Sequence, residues 1–261
     1  MATATETGRN GTHTAHLEAV TRAIDVMRHR LAHPQPLSTL AEAAAFSPFH
    51  FHEIFRELTA VTPARFLAAL RMAEARRLLL HSSLPIRQVA AQVGYTSPGT
   101  FAAQFAQLTG TPPARFRGQA RALGDVRAAE AARWSRLSGT HRGAAVTLAR
   151  APEPGSLVCI CLVPSGSLRI HRGHWTAATG SSRVPGVAPV SAAAYATFCL
   201  VIPPGERVVD ALIDEVPGSL RLGRVGPSPP GHPPPPGVRM RWPEPADPPI
   251  TALLSLTRPA G

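Results

Sequence analysis

The residues able to do chemistry fall into four small groups. Cys159 and Cys161 stand one residue apart with Cys199 further on, and His171 and His174 flank a glycine in HRGH. His50 and His52 lie two apart, and Phe49, His52, Glu53 and Arg56 recur at helical spacing. A Cys-x-Cys inside an apolar run reads as strand core rather than a thiol or metal sensor. The HRGH histidines lack the third and fourth ligands that a zinc site needs. His50 and His52, two apart on a helix, point away from each other. No nucleophile–base signature or phosphate-cradling glycine motif occurs, so no enzyme activity and no cofactor is expected. The fourth group remains, and its chemistry is recognition rather than bond making.

The charge balance points to the molecule recognised. Lysine is absent: all 27 basic residues are arginine, against 16 acids, for a formal net charge of +11. Guanidinium groups carry a planar fork of donors that matches phosphates and guanine edges, so a polyanion is the expected partner. Residues 1–142 hold 17 arginines and 9 acids, whereas 143–261 hold 10 and 7. The Phe49/His52/Glu53/Arg56 stripe lies in the more basic part. There His52 can donate to or accept from a base, Glu53 can accept from a cytosine amino group, and Arg56 lies where phosphates are expected.

Such a stripe needs a rigid helix behind it. Ser47-Pro48 is a helix start, a capping side chain followed by proline at the first helical position. Phe51, Ile54, Phe55 and Leu58 then fall at i, i+3, i+4 and i+7 as an apolar face. The stripe repeats that spacing two residues earlier, about 200° around the helix. The surrounding sequence reads as further short helices. One covers 16–31, with Leu17, Val20, Ile24, Met27 and Leu31 in phase. Another covers 40–45, started by Ser38 or Thr39, with Thr39 and Glu42 forming a capping box. A long helix runs from Thr62-Pro63 to about 81. Others cover 85–93, open at Ser97-Pro98, and run from 113 towards 137. Residues 1–14 are polar, lack the apolar core of a secretory leader, and are expected to be disordered.

The frame occurs twice. Residues 47–66 and 97–116 are identical at ten of twenty positions, among them Ser47/Ser97, Pro48/Pro98, Phe51/Phe101, Phe55/Phe105, Thr59/Thr109 and the closing Pro-Ala-Arg-Phe. Upstream, Leu40-Ala41 to Phe46 matches Val89-Ala90 to Tyr95. Each copy is a short apolar helix, a tight turn and a second capped helix, which is the pattern of a helix-turn-helix. Arg65 and Arg115, in the two Pro-Ala-Arg-Phe words, either extend into solvent or pair with an acidic side chain, or are phosphate contacts.

The run Val89-Ala90-x3-Gly94-Tyr95-Thr96-Ser97-x3-Phe101-x3-Phe105-x4-Gly110-x2-Pro113-x2-Phe116-Arg117 resembles the signature of the AraC/XylS family of bacterial transcription regulators. The resemblance covers about 15–120. It implies two helix-turn-helix units joined by a long helix, here 63–81. The recognition helices, about 47–59 and 97–109, would enter successive major grooves roughly 34 Å apart. Candidate DNA-binding residues are Ser47, Phe49, His50, His52, Glu53 and Arg56 in the first copy. In the second they are Ser97, Gly99, Thr100, Ala103, Gln104 and Gln107. Many family members have an arginine where Glu53 and Ala103 stand here. The second stripe is plainer, with Gly99, Ala102, Ala103 and Ala106 replacing Phe49, His52, Glu53 and Arg56. The first helix is therefore expected to supply most base readout and the second to position the protein.

The remaining sequence has a different grammar. Residues 143–261 hold 20 of the 28 prolines, which excludes long helices. Short β-rich runs at 144–150, 156–163, 195–202, 208–213, 219–222, 238–242 and 250–256 suggest a small all-β, sandwich-like domain for effector sensing or dimerisation. The proline-rich 226–237 reads as an exposed loop. Residues 121–142 read as a basic helical linker. The expected architecture is thus multidomain: a disordered 1–14, an all-α double helix-turn-helix over 15–120, a linker over 121–142 and a β domain over 143–261. The expected partner is double-stranded DNA. RNA polymerase, an unidentified small-molecule effector and a second copy of the chain are further candidates. Without an apolar run of about 18 residues no membrane partner is expected. Three cysteines in no framework spacing suggest a reducing cytoplasm, on the nucleoid. The alternatives are a DNA-alkylation repair protein, which would need an activated cysteine such as that of Pro-Cys-His-Arg, absent here, and a sequence-tolerant architectural DNA binder.

Overall fold

The computed structural model describes residues 3–137, 143, 145–233 and 237–249. Helices occupy the first half: α1 (Thr3–His29), α2 (Leu37–Ala44), α3 (Pro48–Thr59), α4 (Pro63–His81), α5 (Ile86–Gln92), α6 (Pro98–Thr109), α7 (Pro113–Ala122) and α8 (Ala128–Leu137). The helix expected over 16–31 begins at Thr3, so the segment expected to be disordered is helical from there on. Residues 11–15 are exposed, and from there on the first buried residues are Ala19 and Val20. The apolar period that sequence reasoning follows is thus silent on those first turns. Pro36, not Ser38 or Thr39, precedes α2, and no side chain caps it.

The two repeats fold into superimposable frames. Phe55 stands 5.4 Å from both Phe51 and Phe66, and Phe105 stands 5.6 Å from Phe101 and 5.3 Å from Phe116. Such tilted and edge-to-face aromatic contacts add to the gain from burial. Thr59 donates to the carbonyls of Phe55 (2.8 Å) and Val61 (3.0 Å), and Thr109 does the same to Phe105 and Thr111 at the same distances. Both threonines are buried, and this bond pair is why the repeat keeps them. Helix α4 serves both units: Phe66, Leu67 and Leu70 join the core of α1–α3, while Met72, Ala75 and Leu79 join that of α5–α7.

The second half is built on a four-stranded antiparallel sheet of order β3-β2-β5-β6. Its strands are β2 (Leu157–Pro164), β3 (Arg172–Ala177), β5 (Tyr195–Ile202) and β6 (Arg221–Ser228). The short β1 (Val146–Thr147) and β4 (Arg183–Val184) pair with each other. Val158, Ile160, Cys199 and Val201 pack on Val146, Leu148, Val184 and Val238. The opposite face, with Leu157, Cys159 and Leu200, packs on Ala128, Ala131 and Ala132 of α8 and on α9 (Val208–Leu212). Central strands covered on both faces lose the apolar–polar alternation, as 157–163 does.

Four expectations for this region are corrected, one being the strand expected over 238–242, where only Val238 and Arg241 make isolated bridges. The run 208–213 is helix, because its β-branched residues are buried around the helix between sheet and helical half. The helix expected over 113–137 breaks after Ala122, where Leu123 leads into Gly124 and the backbone bridge of Arg127 with Arg207. Part of the supposed linker is therefore α8, a helix whose alanines close the sheet. Strand β3 escaped notice because Arg172, Gly173 and His174 dilute its apolar signal. The run 250–256 lies outside the described residues.

Candidate nucleic-acid interface

The interface starts from two caps. Ser47 Oγ accepts from the His50 amide at 3.4 Å, and Ser97 Oγ accepts from the Thr100 amide at 3.3 Å. Both fix the first turn of a candidate recognition helix, α3 or α6. Phe51, Ile54 and Phe55 bury one face of α3, and Phe101 and Phe105 bury that of α6. The opposite faces are left to solvent. Phe49 is 80% exposed, an unusual position for a large apolar ring, and Glu53 and Arg56 are exposed beside it. His52 Nδ1 lies 3.4 Å from Glu53 Oε1, so these two candidate readers act as a pair. Gly99, Thr100, Ala103 and Gln107 line the outer face of α6 and are all exposed.

Several candidates have other duties. The His50 ring stacks edge-on against Phe46 at 5.0 Å and His16 at 5.9 Å, which ties α3 to α1. Gln104 Oε1 accepts from the Tyr95 hydroxyl at 2.6 Å, linking α6 to the turn before it. Arg65 donates to the carbonyl of Gly166 in the loop after β2. Arg115 is exposed at the matching place in the second repeat. Sequence spacing identified the helix faces but not these side-chain partners, two of which come from distant segments.

The cysteines lie apart from this surface. All three are buried, Cys159 and Cys161 on one sheet face and Cys199 on the other. Burial, then the neighbouring thiols, pushes the Cys159 thiol well up and the Cys199 thiol up as well. Among the described residues no three His, Cys, Asp or Glu side chains group as a metal site. No helix among them is long and apolar enough to cross a membrane.

Comparison with known proteins points, by sequence, to the same helix-turn-helix region. Residues 40–119 match the family model described as a helix-turn-helix domain. The bifunctional transcriptional activator/DNA repair enzyme AdaA of Bacillus subtilis is 31% identical over 81 residues, which is 31% of this chain and 38% of that protein. The RCS-specific transcriptional activator RclR of Escherichia coli is 30% identical over 100 residues, 38% of this chain and 35% of its own. The DNA-binding domain of AdpA, solved in complex with a target DNA, is 30% identical with a TM-score of 0.39, over 40% of this chain and 93% of that one. Residues 40–119 form an AraC-type helix-turn-helix domain. The chain spans under two-fifths of the length of these two curated relatives.

Proposed function

We propose that this protein is a sequence-specific DNA-binding regulator of transcription, acting in the bacterial cytoplasm on the nucleoid. The observation that carries the reading is the pair of capped helices held in one repeated frame, each with its outer face free. In this reading α3 and α6 enter successive major grooves on one side of the duplex. Helix α3 does most of the base reading through Phe49, His52 and Glu53, and α6 contributes mainly backbone contacts. The strand-rich half receives a small-molecule effector or pairs with a second copy, and RNA polymerase is the downstream partner.

Selection of bound fragments from the source genome, followed by footprinting, tests the reading. The expected footprint has two protected centres one helical turn apart and survives excess random DNA at moderate salt. Protection erased by random DNA would leave an architectural binder instead. The repair alternative is disfavoured by the buried thiols, since an alkyl acceptor needs an accessible, activated cysteine.

A further inference from the structure

A cleft of about 520 Å3 lies between the first helix-turn-helix and the strand-rich half. That is the size of a small-molecule site. Its floor is one face of the four-stranded sheet, where Cys161 pairs with Phe198 across β2 and β5 and Leu200 follows two residues on. Its roof is the last turn of α3 and the turn into α4, from Arg56 to Arg65. Among the described residues the charged ones in its lining are Arg56, Arg65 and Arg224, with no carboxylate.

An anion entering this apolar cleft would meet guanidinium donors on both its floor and its roof. Arg224 lies 5.6 Å above the Phe198 ring and, among the described residues, has no hydrogen-bond acceptor. The nearby Asp247 is already engaged by Arg241 through two bonds of 2.6 and 2.8 Å. Burial correspondingly lowers the pKa of Arg224. Arg65 reaches the Gly166 carbonyl with one nitrogen, and its guanidinium has other donors.

We infer that this cleft binds an organic anion with an apolar body, its acidic group held by Arg224, Arg56 and Arg65 and its body lying on Phe198, Leu200 and Leu168. Arg56 also belongs to the outer stripe of α3. An anion that draws Arg56 into the cleft withdraws it from a DNA phosphate, so occupancy lowers affinity for DNA. This coupling, unlike the site itself, rests on the DNA-binding reading above.

The test uses the full chain and two fluorescent probes. Anilinonaphthalene sulfonate carries the charge, and phenylnaphthylamine is the same skeleton without it. The sulfonate is expected to bind saturably, one per chain, and more tightly than the neutral probe. Arg224→Gln should weaken the sulfonate by about tenfold or more, the worth of a charge-assisted hydrogen bond, and change the neutral probe by less than about twofold. Circular dichroism and the urea midpoint verify that the variant is folded; if it is not, Arg56→Gln takes its place in the same titration. Equal affinities for the two probes, or a sulfonate affinity untouched in a folded arginine variant, overturns the anion site. With a selected genomic duplex, saturating sulfonate should lower DNA affinity several-fold and the neutral probe should not. Sulfonate binding with unchanged duplex affinity would keep the site and overturn the coupling. If no duplex is bound selectively, the regulator reading fails while the probe titration still decides the cleft.

Discussion

Arg76 of α4 donates from Nη1 to the carbonyl of Leu212 at 3.0 Å, across 136 residues of sequence. Leu212 is the last residue of α9, and the final carbonyls of a helix lack intrahelical partners. A guanidinium there satisfies one of them and matches the negative end of the helix dipole. Around the bond, Val209 and Ile213 join the core of the second helix-turn-helix, and His81 approaches Asp214 to 2.7 Å. The helix between the two helix-turn-helix units is therefore also where the strand-rich half docks.

The first prediction concerns that bond. Arg76 is fully buried, and desolvation lowers its pKa to about 10 despite the attraction of Glu215. Such a drop corresponds to about 3 kcal/mol of unfavourable burial at neutral pH. The bond to Leu212 offsets this by about 1.5–3 kcal/mol. Arg76→Met, which keeps much of the packing volume, should thus stay within about 1 kcal/mol of the parent in urea unfolding. Arg76→Ala should cost about 2–5 kcal/mol through the cavity it leaves. Equal losses in both would show that the bond, not the packing, dominates.

The thiols make a second case. The raised pKa of Cys159 and Cys199 keeps both neutral in the folded state. Ellman's reagent at pH 8 should leave these two unmodified in the native protein and titrate all three cysteines in urea. Above pH 9 the unfolded chain loses thiol protons that the folded chain retains, so stability should fall with rising pH. Arg76, whose folded pKa lies at about 10, already loses its proton across about pH 9–10 and acts in the opposite sense, so the thiol contribution is read in the Arg76→Met background. Rapid native labelling of either residue would contradict the buried placement.

A third prediction comes from comparing the repeats. Ala45 and Ala60 adopt positive φ, at 61° and 65°, and their counterparts in the second unit are Gly94 and Gly110. A left-handed residue with a Cβ costs about 1–2 kcal/mol, and glycine gives back about 0.4–1 through the unfolded chain. Ala45→Gly and Ala60→Gly should therefore each stabilise the protein, by about 0.5–1 kcal/mol. The denaturant midpoint should shift upward at an unchanged slope. A lower midpoint would indicate that the methyl groups contribute more packing than strain.

Base readout gives a fourth. Glu53 is exposed beside His52, whereas Ala103 presents a bare methyl on the matching face of α6. Glu53→Ala should change which bases are selected, at about 1–3 kcal/mol for the base pair concerned. Ala103→Ser should change selection little. Sequence selection with randomised duplexes measures both, and an equal loss of specificity would remove the asymmetry between the two helices.

The helical half was legible because its signals are local. Ser-Pro caps, phenylalanines four apart and a repeated Pro-Ala-Arg-Phe each act within a few residues, and the fold uses them as they stand. The misreadings arise where distant segments decide. Val208 to Leu212 is rich in β-branched residues, yet burial between the sheet and α4 makes it a helix. Ala128, Ala131 and Ala132 resemble a featureless linker until the sheet they cover is in place. The partners of Arg65 and Arg76 are 101 and 136 residues away. No local pattern announces such pairings.

That same distance separates the roles of two equivalent arginines. Arg65 and Arg115 occupy identical places in the repeated Pro-Ala-Arg-Phe words, and sequence alone leaves both either extended into solvent, paired with an acid or reaching a DNA phosphate. Both are exposed, but Arg65 is bonded to Gly166 and borders the cleft, while Arg115 lies on the unit with the plainer outer face. An arginine that neutralises a phosphate releases a counterion, so its loss flattens the dependence of log affinity on log salt by about one. Arg115→Gln should show that change and weaken binding about equally on all sequences. Arg65→Gln should leave the slope nearly unchanged, because its charge is already directed to the strand-rich half. Titrations of a labelled duplex at several salt concentrations measure both slopes. If the two variants flatten the slope equally, Arg65 leaves Gly166 when DNA binds, and the bond between the halves is broken in the complex.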